Sequence, residues 1–157
     1  MIENTLFASH AEASACVGSG IHREEVPLVP SRTVGTVLMI DENEVLCTVV
    51  SIALRTQGFH VFEAHDGPSG VDLFQLHEAA IDVVVMDWTL PGLSGREVLR
   101  QLRQIRPGVK VILTSSFSKD SAWGTLGGLH PWGFLQKPYL SIELAELLHE
   151  ACKPGSK

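Results

Sequence analysis

From Val34 onward the apolar residues alternate between two rhythms. TVLMI (36–40) is a short continuous run rich in β-formers and predicts a strand. Over 44–57, Val45, Leu46, Val49, Val50, Ala53 and Leu54 recur at helical spacing, and Gly58 stops that helix. FHVFEA (59–64) alternates as a strand near a sheet edge does. DGPSG then turns into a helix over about 69–79 with Val71, Leu73, Phe74 and Leu76. IDVVVM (81–86) reads as a central strand buried on both faces. Ser94 and Glu97 have capping-box spacing ahead of a helix over 95–105, which carries Val98, Leu99, Leu102 and Ile105 and ends at Pro107-Gly108. VKVILT (109–114) predicts a fourth strand and GFLQ (133–136) a short fifth. Ser141 is positioned to cap a last helix with Leu144, Leu147 and Leu148. Between the last two strands, Gly124, Gly127 and Gly128 each weaken a helix by about 1 kcal/mol relative to Ala, so the fourth helix is expected to be short or irregular.

Five alternations of strand and three-turn helix predict a parallel sheet covered on both faces. Right-handed crossovers make it a doubly wound α/β fold, in which ligand chemistry gathers beyond the carboxyl ends of the strands. Residues 1–33 follow neither rhythm. They are rich in Ala, Ser, Glu and Gly, end in EEVPLVPSR, and read as a leader or linker. Gly18-Ser19-Gly20 follows no strand, so it reads as linker rather than as a phosphate loop. The expected layout is a leader over 1–33, one domain over 34–152 and a disordered tail over 153–157.

Composition narrows the functional classes. The 157 residues suffice for one domain with a real core. A net charge of −6 gives no reason to expect nucleic acid or an anionic membrane as a partner. No apolar run approaches the roughly 18 residues of a membrane span, and the first 22 residues hold no Lys or Arg to begin a signal peptide. Cys16, Cys47 and Cys152 are too scattered for a zinc knuckle or a disulfide framework, and the cytoplasm is the expected compartment.

The chemistry stands at the strand ends. The first strand runs into Asp41-Glu42, the third into Asp87, the fourth into Thr114-Ser115 and the fifth into Lys137-Pro138. Each alone has an ordinary reading: a turn aspartate, an acidic helix start, a β-forming threonine, a solvated lysine. Together, at four strand ends, they converge on one rim if these strands are neighbours. Three carboxylates there repel by about 4 kcal/mol per pair at 4 Å and an effective dielectric of 20. A hard divalent cation such as Mg²⁺ relieves that repulsion. A carboxylate nucleophile, a divalent cation, an ammonium and a hydroxyl describe phosphoryl transfer to Asp87.

VLMIDEN, VVVMDWTLPGLSG, VILTSS and GFLQKP together resemble the receiver domains of two-component signalling, over about Val34 to Ala151. The wording SGREVLRQLRQIRPGVKVILTSSFS is most similar to receivers of hybrid sensor histidine kinases. The resemblance implies a flavodoxin-like strand order 2-1-3-4-5. It implies that Asp87 accepts a phosphoryl group from a phosphohistidine on a sensor histidine kinase or a histidine phosphotransfer domain. It further implies Mg²⁺ held by Asp41, Glu42, Asp87 and the Thr89 backbone carbonyl, and phosphoryl contacts from Thr114 and Lys137. Phe134 stands at the switch-aromatic position. The face from the fourth strand to the fifth helix would change its partner affinity on phosphorylation, and it admits a homodimer. With the chain ending at Lys157, no DNA-binding output domain is expected to follow.

The chain departs from the family pattern at Glu42, one methylene longer than the usual Asp. Phe134 has no hydroxyl. His130-Pro131 replace the usual Gly-Ala, and GTLGG interrupts the fourth helix. Two other readings compete. One is a degenerate receiver that binds partners without phosphorylation. The other is an aspartyl-phosphate phosphatase, which the family position two residues after the nucleophile disfavours, because it holds Thr89 rather than an acid. No turnover of an external substrate is expected. The seven histidines have no i, i+4 ligand spacing. His65 could border the site, and Trp88 could shield an acyl phosphate or simply pack on the rim. Trp123, Trp132 and Tyr139 are expected to cover a partner-facing surface or the core edge.

Overall fold

A computed structural model describes residues 33–155, apart from the side chains of Trp123 and Thr125. The leader, save Thr33, and the last two residues of the tail lie outside the described residues. The elements alternate as β1 (Gly35–Ile40), α1 (Glu44–Thr56), β2 (Phe59–Ala64), α2 (Gly67–Leu76), β3 (Val83–Asp87), α3 (Gly95–Ile105), β4 (Lys110–Ser115), α4 (Lys119–Thr125), β5 (Gly133–Gln136) and α5 (Ser141–Ala151).

All strands run parallel in one five-stranded sheet of order β2-β1-β3-β4-β5, as the resemblance implies. β3 is buried along its whole length between β1 and β4, which explains its unbroken Val-Val-Val-Met run. β2 lies at the edge; its burial alternates over its first four residues, as its sequence predicts, and then gives way to a half-buried Glu63 and a buried Ala64. One core fills the face covered by α2 and α3, with Leu38, Ile40, Phe74, Val84, Met86, Leu99, Leu102 and Leu113. The other lies under α1 and α5, with Val37, Met39, Val50, Leu54, Val83, Val85, Ile112, Leu144 and Leu148.

Local chemistry sets the helix starts. Asn43 caps α1 by accepting from Leu46 N at 3.0 Å, and Ser94 caps α3 by accepting from Glu97 N at 3.3 Å. Two starts differ from the sequence expectation. α2 begins at Gly67 rather than 69, because Asp66 accepts from Ser69 N at 2.7 Å and Pro68 fits the first turn, where no N–H is needed. Ser141 is the first helical residue of α5, not its cap. Leu140 occupies the cap position, and its N–H donates to Glu143 Oε2 at 2.7 Å. α4 is short, with seven residues, as its glycines predict.

Gly35, at the start of β1, faces the end of α5. A Cβ there would lie 2.5 Å from Cys152 Sγ, so only glycine lets the two segments approach this closely.

Candidate functional site

The strand order brings the C-terminal ends of β1, β3, β4 and β5 side by side. Asp41 directly follows β1 and is 1% exposed; Asp87 closes β3 and is 8% exposed. Thr114 is paired in register with Asp87 across the β3–β4 ladder and is fully buried, as is Ser115. Lys137 follows β5 and reaches back over the rim. Its ammonium donates to Asp41 Oδ2 at 2.7 Å and to Asp87 Oδ2 at 2.6 Å. Burial opposes the Lys137 charge, but its hydrogen bonds to both carboxylates and their attraction outweigh that cost and raise its pKa above the ordinary lysine value.

The backbone fixes these groups further. Trp88 N donates to Thr114 O at 2.8 Å and Lys137 N to Ser115 O at 2.8 Å, so both chain exits are tied to the end of β4. Each carboxylate closes a tight turn by accepting from a backbone N–H two residues on: Asp41 Oδ1 from Asn43 at 2.9 Å and Asp87 Oδ1 from Thr89 at 3.0 Å. The Thr89 main chain therefore folds against the Asp87 carboxylate. The His65 ring lies 3.3 Å from the Asp41 carbonyl oxygen, so it borders the site through the backbone. Trp88 is half-buried and packs on the α2–α3 core; together with Phe117, Ser121 and Ala122 it lines a cleft of about 250 Å³. Phe134 is half-buried against the same core, and the half-buried Trp132 packs on the opposite one.

Thus Asp41, Asp87, Thr114 and Lys137 meet on one rim, with Thr89 at its border. Glu42 is exposed, and among the described residues no three His, Cys, Asp or Glu side chains gather to hold a metal. Glu42 stands in the middle of the turn that Asp41 closes onto Asn43 N, and there its side chain is left in solvent while Asp41 is buried. Two buried carboxylates and one ammonium leave one negative charge uncompensated. The Lys137 ammonium bridging them shows that the space between the carboxylates accepts a cation, so Asp41 and Asp87 suit a small divalent ion.

Three features of the rim go beyond what residue order assigns to Ser115, Pro138 and Tyr139. Ser115 is buried there and its hydroxyl accepts from Phe117 N at 3.1 Å. The Lys137-Pro138 peptide is cis. Tyr139 lines, with Leu46, Ser116, Lys137 and Pro138, a cleft of about 420 Å³. The Ser115-Ser116 pair was visible in the sequence; the cleft has no local signal there.

The fold and rim define a flavodoxin-like α/β domain with an acidic strand-end site bridged by lysine. The chain belongs to the response regulator receiver domain family, whose pattern matches residues 37–149. It is 39% identical over 110 residues to the probable transcriptional regulatory protein TcrX of Mycobacterium tuberculosis, covering 69% of this chain and 45% of TcrX. It is 30% identical over 115 residues to the sensor kinase CckA of Brucella abortus, covering 73% of this chain and 12% of that kinase. Its relatives thus include both regulators and a sensor kinase, and it spans half or less of the length of these two. A receiver domain structure from Clostridium thermocellum superposes with a TM-score of 0.69 at 26% identity, covering 75% of this chain and 94% of that one. Receiver domains are generally phospho-acceptors that bind Mg²⁺ at the phosphorylation site and interact with histidine kinases or phosphotransfer proteins. Among the described residues, no helix is long and apolar enough to cross a membrane.

Proposed function

We propose that this chain is a phospho-accepting receiver module, with Asp87 as the acceptor. The observation that carries this reading is the buried Asp87 carboxylate at the tip of β3, held by the Lys137 ammonium beside a second carboxylate, Asp41. In the transfer, an Asp87 oxygen attacks the phosphorus of a phosphohistidine on a sensor histidine kinase or phosphotransfer domain. The P–N bond breaks, the imidazole leaves with the electron pair, and Asp87 becomes an acyl phosphate. Lys137 and the Thr114 hydroxyl supply charge and hydrogen bonding to the phosphoryl oxygens.

Asp41, Asp87 and the Thr89 carbonyl would hold Mg²⁺, with Glu42 contributing by turning inward or through a bound water. When bound, the ion neutralises the excess negative charge of the site and of the incoming phosphoryl group. Phosphorylation adds about two negative charges. Thr114 and Lys137 then draw towards the phosphoryl group, Phe134 turns inward, and the face formed by β4, β5 and α5 changes its affinity for a partner or for a second copy of the chain.

Acetyl phosphate with Mg²⁺ tests the reading by intact-mass measurement. One added phosphoryl group on the wild type and none on Asp87→Asn is expected. Label on a histidine, or undiminished label in the variant, overturns it. A wild type that gains no phosphoryl group, and whose partner binding is unchanged by Asp87→Asn, makes the chain a phosphorylation-independent interaction module.

A further inference from the structure

Among the described residues, the Tyr139 hydroxyl is one of two buried side-chain oxygens that make no hydrogen bond; the other is Ser51 Oγ. Leaving a buried hydroxyl unsatisfied costs about 1–3 kcal/mol, and phenylalanine in the same place avoids that cost. Unsatisfied buried groups are few in native proteins, and each calls for a reason.

The position of Tyr139 supplies one. It stands two residues after Lys137, its ring packs on the α1–α5 core, and it shares a cleft with Lys137. The charged groups whose fields it feels are Lys137, Asp41 and Asp87, with the Cys47 thiol further down the order. Burial, reinforced by the two carboxylates against the opposing pull of Lys137, pushes the phenol up to about 12, so it keeps its proton and can donate at neutral pH. The Asp41 carboxylate depends on two donors, Asn43 N on Oδ1 and Lys137 Nζ on Oδ2. If Lys137 turns to a phosphoryl group on Asp87, Oδ2 loses this donor, and beside a bound Mg²⁺ the ionised carboxylate still has a lone pair with which to accept another.

We propose that Tyr139 is a positioning residue of the phosphorylated state, its hydroxyl donating to the Asp41 carboxylate when Lys137 leaves for the phosphoryl oxygens. The inference rests on the phospho-accepting reading above. It assigns the hydroxyl a use in one state that it lacks in the other, so its effect is differential: it strengthens the phosphorylated arrangement and not the resting one.

Tyr139 is the only tyrosine in the chain, so a ¹³Cζ-tyrosine label reports on it alone. Beryllofluoride with Mg²⁺ serves as the phosphoryl mimic. The Cζ resonance is expected to shift when beryllofluoride is added, and to stay in place with Mg²⁺ alone. In parallel, Tyr139→Phe is expected to leave the thermal midpoint of the unliganded protein unchanged or higher and to weaken beryllofluoride binding about tenfold. An unmoved resonance in wild type that binds beryllofluoride, or equal affinity in Tyr139→Phe, overturns the proposal. Absence of any thermal response of wild type to beryllofluoride overturns the phospho-accepting reading and this inference with it, and that readout tells the two failures apart.

Discussion

Helices α3 and α4 each carry the chain away from a strand that ends in a site residue, Asp87 on β3 and Thr114 on β4, yet they are built in opposite ways. α3 has eleven residues and a side-chain cap from Ser94, and it buries Val98, Leu99 and Leu102 completely. Gly95 lets it start directly on the Trp88 carbonyl oxygen, a contact that a Cβ would turn into a clash with backbone. α4 has seven residues; Gly124 within it has nothing within 4 Å, and Gly127 and Gly128 follow at positive φ. Asp87 thus sits against a tightly built wall. The hydroxyl and the lysine sit on either side of a lightly built one, where rearrangement costs least. The proposed transfer to Asp87, in which the nucleophile is held still while Thr114 and Lys137 move, would use this asymmetry.

The contrast can be broken by substitution. Leu99→Ala removes a fully buried side chain from the α3 core and is expected to lower stability by about 2–5 kcal/mol in urea denaturation. Gly95→Ala should cost about 1–3 kcal/mol, because the methyl meets the Trp88 backbone and that segment leads directly out of Asp87. Gly124→Ala has open space around it and should raise stability by up to about 1 kcal/mol. Equal losses from the two glycine substitutions would abolish the distinction between the two walls.

The smallest effect concerns acid. Hydrogen bonds from Arg100 and then from Gln101 hold the Glu97 carboxyl down at about 2. A depressed carboxylate contributes stability that is complete above its unfolded pKa and is lost as pH falls through the folded value. Glu97→Gln is therefore expected to flatten the thermal midpoint between about pH 4.5 and pH 2, with no change in the pH dependence near neutrality, and the difference should shrink with added salt. An unchanged acid limb would show that the Glu97–Arg100 pair adds nothing to the firmness of α3.

Much of this architecture is legible in residue order. Continuous apolar runs against helical spacing separate β3 from α3 without ambiguity, and polar residues directly after such runs mark the rim. The rest depends on contacts between distant segments. Residue order places Asp41 and Glu42 together, but the turn that Asp41 closes onto Asn43 N buries the first and leaves the second exposed, so a cluster of three carboxylates becomes a buried pair. Ser141 has the composition of a cap, yet Glu143 reaching back to the Leu140 N–H moves the boundary by one residue. The unsatisfied Tyr139 hydroxyl is a property of what surrounds it, and no local pattern announces it.

The close approach of Gly35 to Cys152 has a consequence for how such a domain is wired into larger proteins. β1 starts, and α5 ends, at the end of the sheet opposite Asp87, where the strands begin. In a longer polypeptide that carries this fold as one part among several, both covalent tethers leave from the same place. Neighbouring domains then hang from the far end like a cable from the back of an instrument, and neither tether has to cross the acidic rim.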